Sequence, residues 1–125
     1  MENSVYHLAG YPSTRSPDIK SPCFIRKYWV PLFEKYGVKL AFEHHNHAFK
    51  RTYPLLDEKI DSLGIVYIGD GCWGAPPRKT AGSHFYLEKS AASSCFSFLT
   101  VDQRSLKVEV FNEKNKLIDT WESRD

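Results

Sequence analysis

The stretch from Cys23 to Glu43 narrows the choice of fold more than any other part of this chain. Ile25, Tyr28, Trp29, Leu32, Phe33 and Tyr36 recur at helical spacing, which places them on one face of a helix over 23–36. Pro31 must kink that helix or begin a second segment, because it lacks an N–H and its ring clashes one turn back. Gly37 is a natural stop, and the apolar run Val38 to Phe42 follows at once as a strand ending at Glu43. Upstream, Ser4 to Ala9 reads as a short strand, and Tyr11 to Pro22, with three prolines and three serines, as a loop. Strand, helix and strand in that order predict a βαβ crossover with parallel strands.

Further along, Gly64 to Gly71 is a strand that runs into a glycine-rich turn, and Cys72 to Ser83 is a loop rich in proline, glycine and basic residues. The character then changes. Phe96 to Val101 and Leu106 to Phe111 are β-rich, and the second alternates apolar and polar, so one face is buried and the other wet. Asn112 to Lys116 is a turn, and Leu117 to Trp121 a last strand. The expectation is an α/β fold in which a βαβ unit is followed by an antiparallel meander.

A chain of 125 residues with 42% hydrophobic and 14% aromatic content is one folded domain or part of one. The strand that opens almost at residue 1 leads us to expect further sequence before it. A net charge of +2, with basic and acidic residues intermixed, gives no case for nucleic acid or a membrane surface. No apolar run approaches the roughly 18 residues of a membrane span, and no signal-peptide pattern is visible. Cys23, Cys72 and Cys95 include no CxxC pair. One bridge is possible, but small buried thiols are the favoured state.

Three of the five histidines, His44, His45 and His47, fall within four positions at the end of the Val38 strand. In extended backbone, side chains two apart point the same way. His45 and His47 would then present imidazoles to one point or to two neighbouring points, an arrangement suited to a transition metal. The competing reading is a solvated, histidine-rich loop.

The segment order, with two motifs, resembles the C-terminal half of a calcineurin-like metallophosphoesterase of the purple acid phosphatase-like branch. Val5-Tyr6-His7 followed by Tyr11-Pro12-Ser13 is similar to that family's fourth metal-site motif. The run from His44 to Leu55 resembles the fifth, with His44 where the family has glycine. Tyr67 to Gly74 matches the strand and turn that follow it. The resemblance covers nearly the whole chain.

It implies half of a two-sheet sandwich, with residues 1–90 as a metal-site half containing the βαβ unit and 91–125 as C-terminal strands. His7 and His45 would ligate one metal and His47 another, the ions being Fe, Zn or Mn, with His44 a donor lining the substrate cleft. The substrate would be a small phosphate ester, hydrolysed at a dinuclear centre, and the enzyme secreted or vacuolar. The family's first three motifs have no counterpart here. No Asp-x-His, Gly-Asp-x-x-Asp, Gly-Asp-x-x-Tyr or Gly-Asn-His occurs. Gly69-Asp70-Gly71 is read as a turn. The chain is therefore expected to be inactive alone, completed by a missing N-terminal half or by a second copy at open sheet edges. The alternative is a non-catalytic module in which His7, His45 and His47 hold one metal. Arg51 is expected to pair with an acid and brace the loop rather than to neutralise a phosphate, Arg78 and Lys79 to be solvated, and His84, Tyr67 and Trp73 to be structural.

Overall fold

The computed structural model describes residues 2–69 and 72–124. Strand β1 (Glu2–Tyr6) leads through a loop to helices α1 (Lys20–Tyr28) and α2 (Val30–Lys35), then to β2 (Val38–Glu43). β1 and β2 pair in parallel, as a crossover requires. Next come β3 (Phe49–Thr52), the small hairpin β4 (Leu55–Leu56) and β5 (Lys59–Ile60), β6 (Val66–Gly69) and β7 (Leu87–Ala91). The chain ends in β8 (Cys95–Val101), β9 (Ser105–Asn112) and β10 (Leu117–Arg124), an antiparallel meander. The expected α/β class and both of its parts are therefore present. Of the expected glycine-rich turn, Asp70 and Gly71 lie outside the described residues.

The main sheet runs β1-β2-β6-β3-β7, with β2 parallel and β3 antiparallel to β6. Side-chain alternation gives it two buried faces. Leu40, Phe42, Phe49, Val66 and Ile68 pack against Cys95, Leu106, Val108 and Val110 of the meander. On the other face, Ala41 and Tyr67 pack with Tyr6, Tyr11, Ile25, Val30 and Tyr86. Three layers result: helices, mixed sheet, antiparallel sheet. In β9 the buried residues are Leu106, Val108 and Val110, every second position, as its alternation requires. Both sheets are open. The larger ends at β1 and β7, the smaller at β8 and β10. Among the described residues no helix is long and apolar enough to cross a membrane.

Pro31 does begin a second helix: α1 ends at Trp29, which also caps α2. That break changes the helical phase, and the expected single apolar face is corrected. Ile25 and Val30 are buried and Phe33 packs partly, whereas Tyr28, Trp29, Leu32 and Tyr36 are exposed. Trp29 still contacts Tyr6 in a tilted arrangement, with ring centroids 5.6 Å apart.

The end of β6 is pinched between its neighbours. A Cβ at Gly69 would lie 2.8 Å from the Glu43 carbonyl oxygen and 2.9 Å from Lys50 Cγ. Gly69→Ala is therefore expected to cost about 1–3 kcal/mol, the usual range for overpacking. The check is the urea midpoint at unchanged m-value, and a midpoint equal to that of the parent would contradict the packing described.

Candidate metal and phosphoryl site

Because β1 and β2 are both parallel to β6's direction, the ends at Tyr6, Glu43 and Gly69 lie at one edge of the sheet. Carboxyl ends of parallel strands are where open α/β sheets bind ligands. β2 and β3 flank β6 on opposite sides and run in opposite directions, so residues 44–48 must arch over its end. Such a short arch cannot be extended. His45 (φ 66°) and His47 (φ 51°) adopt left-handed backbone, and the Asn46 N–H donates to the His44 carbonyl at 2.7 Å. The extended alternation expected for 45 and 47 is thereby corrected.

The arch brings His45 to His7, the residue just beyond β1. His45 Nδ1 lies 2.9 Å from His7 Nε2, and the rings meet edge-on. His7 is exposed, while His44, His45 and His47 are half-buried. Ligands at Zn–N distances of about 2.0–2.1 Å and a tetrahedral angle stand about 3.3–3.4 Å apart. The imidazole pair is within half an ångström of that spacing. It fits a cation as a partial donor set. Among the described residues no group of three or more histidine, cysteine, aspartate or glutamate side chains is placed to hold an ion.

What fixes this geometry is a buried polar clamp that sequence inspection missed. Glu43 is fully buried. Its Oε1 accepts from the Tyr6 hydroxyl and, at 2.7 Å, from the Gly10 N–H, while Oε2 accepts from the Tyr11 N–H at 3.3 Å. Lys50, also fully buried, donates to Glu43 Oε2 and to the Tyr11 carbonyl. Glu43 and Lys50 thus join the two feet of the histidine arch, and the same carboxylate grips both ends of the His7 turn. Burial raises the Tyr6 hydroxyl far above its ordinary pKa, and the Glu43 charge adds to this, so Tyr6 stays a donor. Burial lowers the pKa of Lys50, against the opposing pull of Glu43. A signal was available: a glutamate closing an otherwise buried strand, with a lysine seven residues on inside the next one.

Two further loops reach the arch. The Arg78 N–H donates to the His47 carbonyl at 2.7 Å, and Thr14 Oγ1 to Asn46 Oδ1 at 3.3 Å. His45 is held below its ordinary pKa, first by partial burial and then by the positive charges of Arg15, His7, His47 and Arg78. A neutral imidazole is the form that binds a metal. Among the described residues, the carboxylate at the foot of the arch, Glu43, is enclosed and turned to its own donors.

Arg51 braces, as expected, but between sheets: it pairs with Glu88 and, at 2.6 Å, with the buried Asp119 of β10. Arg78 and Lys79 are exposed on their loop. His84 stacks on Tyr86 at 5.1 Å, and Tyr67 is fully buried. Trp73 departs from the packing role assigned to it: it is 64% exposed and touches Phe96 only edgewise. Cys72 and Cys95 are the expected buried thiols, whereas Cys23 is exposed.

No protein-family model matches the chain, and no curated protein matches it by sequence. Solved structures do match. A purple acid phosphatase, PPD1, from yellow lupin (Lupinus luteus) seeds superposes with a TM-score of 0.78 at 17% identity, over 98% of this chain and 24% of that one. GAP50 of Plasmodium, described as the anchor in the inner membrane complex, gives a TM-score of 0.74 at 14% identity, over 94% and 34%. This chain therefore spans about a quarter to a third of those proteins. At these identities the likeness concerns architecture alone: a βαβ unit followed by antiparallel strands, arranged as in those two structures.

Proposed function

We propose that this chain carries the histidine side of a metal-dependent phosphomonoesterase of the acid phosphatase type. His7 and His45 would share one cation, with His47 directed to a second and His44 toward substrate. The observation that carries this reading is the 2.9 Å contact between imidazoles 38 residues apart at the carboxyl ends of parallel strands. Such ions, when bound, polarise a phosphoryl oxygen and lower the pKa of a bound water. Here the residues' part is to offer neutral nitrogens on a rigid clamp. The balancing carboxylates would come from a separate segment or a second copy docking at the open edges of the sheets, the substrate being a small phosphate ester.

Zinc and manganese titrations by calorimetry test it. His7→Ala and His45→Ala each remove a ligand and are expected to weaken Zn²⁺ binding by more than the roughly 10–100-fold that follows loss of a ligand's hydrogen-bond partner, with His84→Ala unchanged. Equal affinity in all three variants would overturn the assignment. Purified chain is expected to leave p-nitrophenyl phosphate intact; metal-dependent turnover would contradict its being an incomplete site.

A second reading is a non-catalytic module in which His7, His45 and His47 hold one ion; among the described residues the Glu43 carboxylate is taken up by its own donors, which supports it. Tight binding of a single ion per chain, abolished by His47→Ala, would favour it.

A further inference from the structure

We propose that Arg15 and Arg78 flank the histidine arch as a two-armed oxyanion site that holds a phosphoryl group without a bound cation. Three segments meet there. Residues 13–14 are tied to 81 and to 46: the Ala81 N–H donates to the Ser13 carbonyl at 2.7 Å, and Thr14 Oγ1 to Asn46 Oδ1 at 3.3 Å. Residue 78 is tied to 47 by its own N–H, at 2.7 Å. Arg15 and Arg78 therefore both leave the backbone beside the arch, and both charges are felt at His45.

Neither guanidinium forms an ion pair or a side-chain hydrogen bond among the described residues. That contrasts with Arg26 and Arg51, whose side chains donate to Gly10 and Pro17 carbonyls and to Asp119 and Glu88 respectively. The same loops hold two buried polar groups with no partner among the described residues, Ser13 Oγ and Asn46 Nδ2. Ser13 is 0% and Asn46 3% exposed. Buried donors of this kind are normally satisfied. Among the described residues Glu43 is enclosed by its own donors, and the two guanidinium groups add positive charge beside the arch, which favours a multiply charged anion. Guanidinium forks match the geometry of phosphate oxygens.

The choice of phosphate as ligand rests on the phosphomonoesterase reading, but the site needs no metal. The test is titration of inorganic phosphate into the whole chain in EDTA at low ionic strength, followed by calorimetry and amide chemical shifts. Saturable binding is expected, with shifts in residues 13–15, 44–48 and 78–81. Arg15→Ala/Arg78→Ala is expected to weaken it at least tenfold, whereas Arg104→Ala and Lys114→Ala leave it unchanged. Arg78, Arg104 and Lys114 are exposed and Arg15 is half-buried, and an unaltered melting temperature confirms folding. Absent binding, equal loss with the control substitutions, or binding only once Zn²⁺ is added would overturn the proposal. Zn²⁺ titration of the same double variant without phosphate is expected to show undiminished affinity. Failure of the histidine assignment would appear in the zinc arm alone, and failure of the arginine assignment in the phosphate arm alone.

Discussion

Lys50→Met is expected to destabilise this protein by about 3–5 kcal/mol, the usual cost of breaking a buried ion pair by removing one partner. Lys50 and Glu43 are both fully buried, so no water replaces the lost ammonium. The Glu43 carboxylate would keep the Tyr6 hydroxyl and the Gly10 and Tyr11 N–H groups, which are dipoles rather than a counter-charge. Domains of this size are stable by only about 5–15 kcal/mol, so the substitution removes a large share of the total. Neutralising the orphan should reverse much of the loss: Glu43→Gln/Lys50→Met is expected to be more stable than Lys50→Met alone, since the amide oxygen still accepts from Tyr6 and Gly10. Denaturant midpoints of the three variants make the comparison. A loss below about 1 kcal/mol in Lys50→Met would mean that the pair is solvated and does not clamp the arch. Under conditions where that variant stays folded, Zn²⁺ affinity should also fall, because the carboxylate that grips the His7 turn has lost its charge partner.

The crossover and the meander were legible because they rest on local periodicity: helical spacing over 23–36, alternation over 106–110, and a stop at Gly37. The break at Pro31 was legible for the same reason, since its cause is covalent. Its effect on which aromatics are buried was not, because the phase of α2 depends on how Trp29 sits against Tyr6. β3 and β7 went unread. Phe49-Lys50-Arg51-Thr52 carries two charges inside a fully buried strand, and each is tolerated only because Glu43 or Asp119 is waiting for it. Asp119, 68 positions from Arg51, leaves no local trace, and Glu43, seven from Lys50, leaves only the pattern of a glutamate closing one strand with a lysine inside the next. The histidines were found by their clustering, yet the geometry first assumed for them was wrong. It is the reversal over the end of β6, not alternation along a strand, that turns His45 toward His7. Only sheet order reveals that reversal, and sheet order is a long-range property.

Arg51→Met is expected to destabilise by a similar amount, about 3–5 kcal/mol, and to flatten the acid limb of the stability curve. Arg51 holds Asp119 across the interface between the two sheets, and the remaining partner of Asp119, Lys89, is half-exposed at 2.5 Å. Burial alone would raise the Asp119 pKa. Hydrogen bonds from Arg51 and Lys89, with their charges, outweigh it and hold the carboxyl below its ordinary value. A depressed carboxyl contributes stability that is fully present above the unfolded-state value of about 3.9 and is lost as pH falls through the lower folded-state value. The parent should therefore lose stability below about pH 4, by protonation at Asp119. In Arg51→Met the carboxyl loses its main counter-charge while keeping its burial, so its pKa should rise. The variant should be less stable than the parent at pH 7, with the gap narrowing toward pH 3. Asp119→Asn should narrow it further, since it removes the titrating group but keeps an acceptor for Arg51. Urea midpoints of the parent and both variants at pH 7, 5 and 3 decide the matter. A constant offset between parent and Arg51→Met at all three would show that the guanidinium acts through packing alone and that the carboxyl is not what joins the sheets.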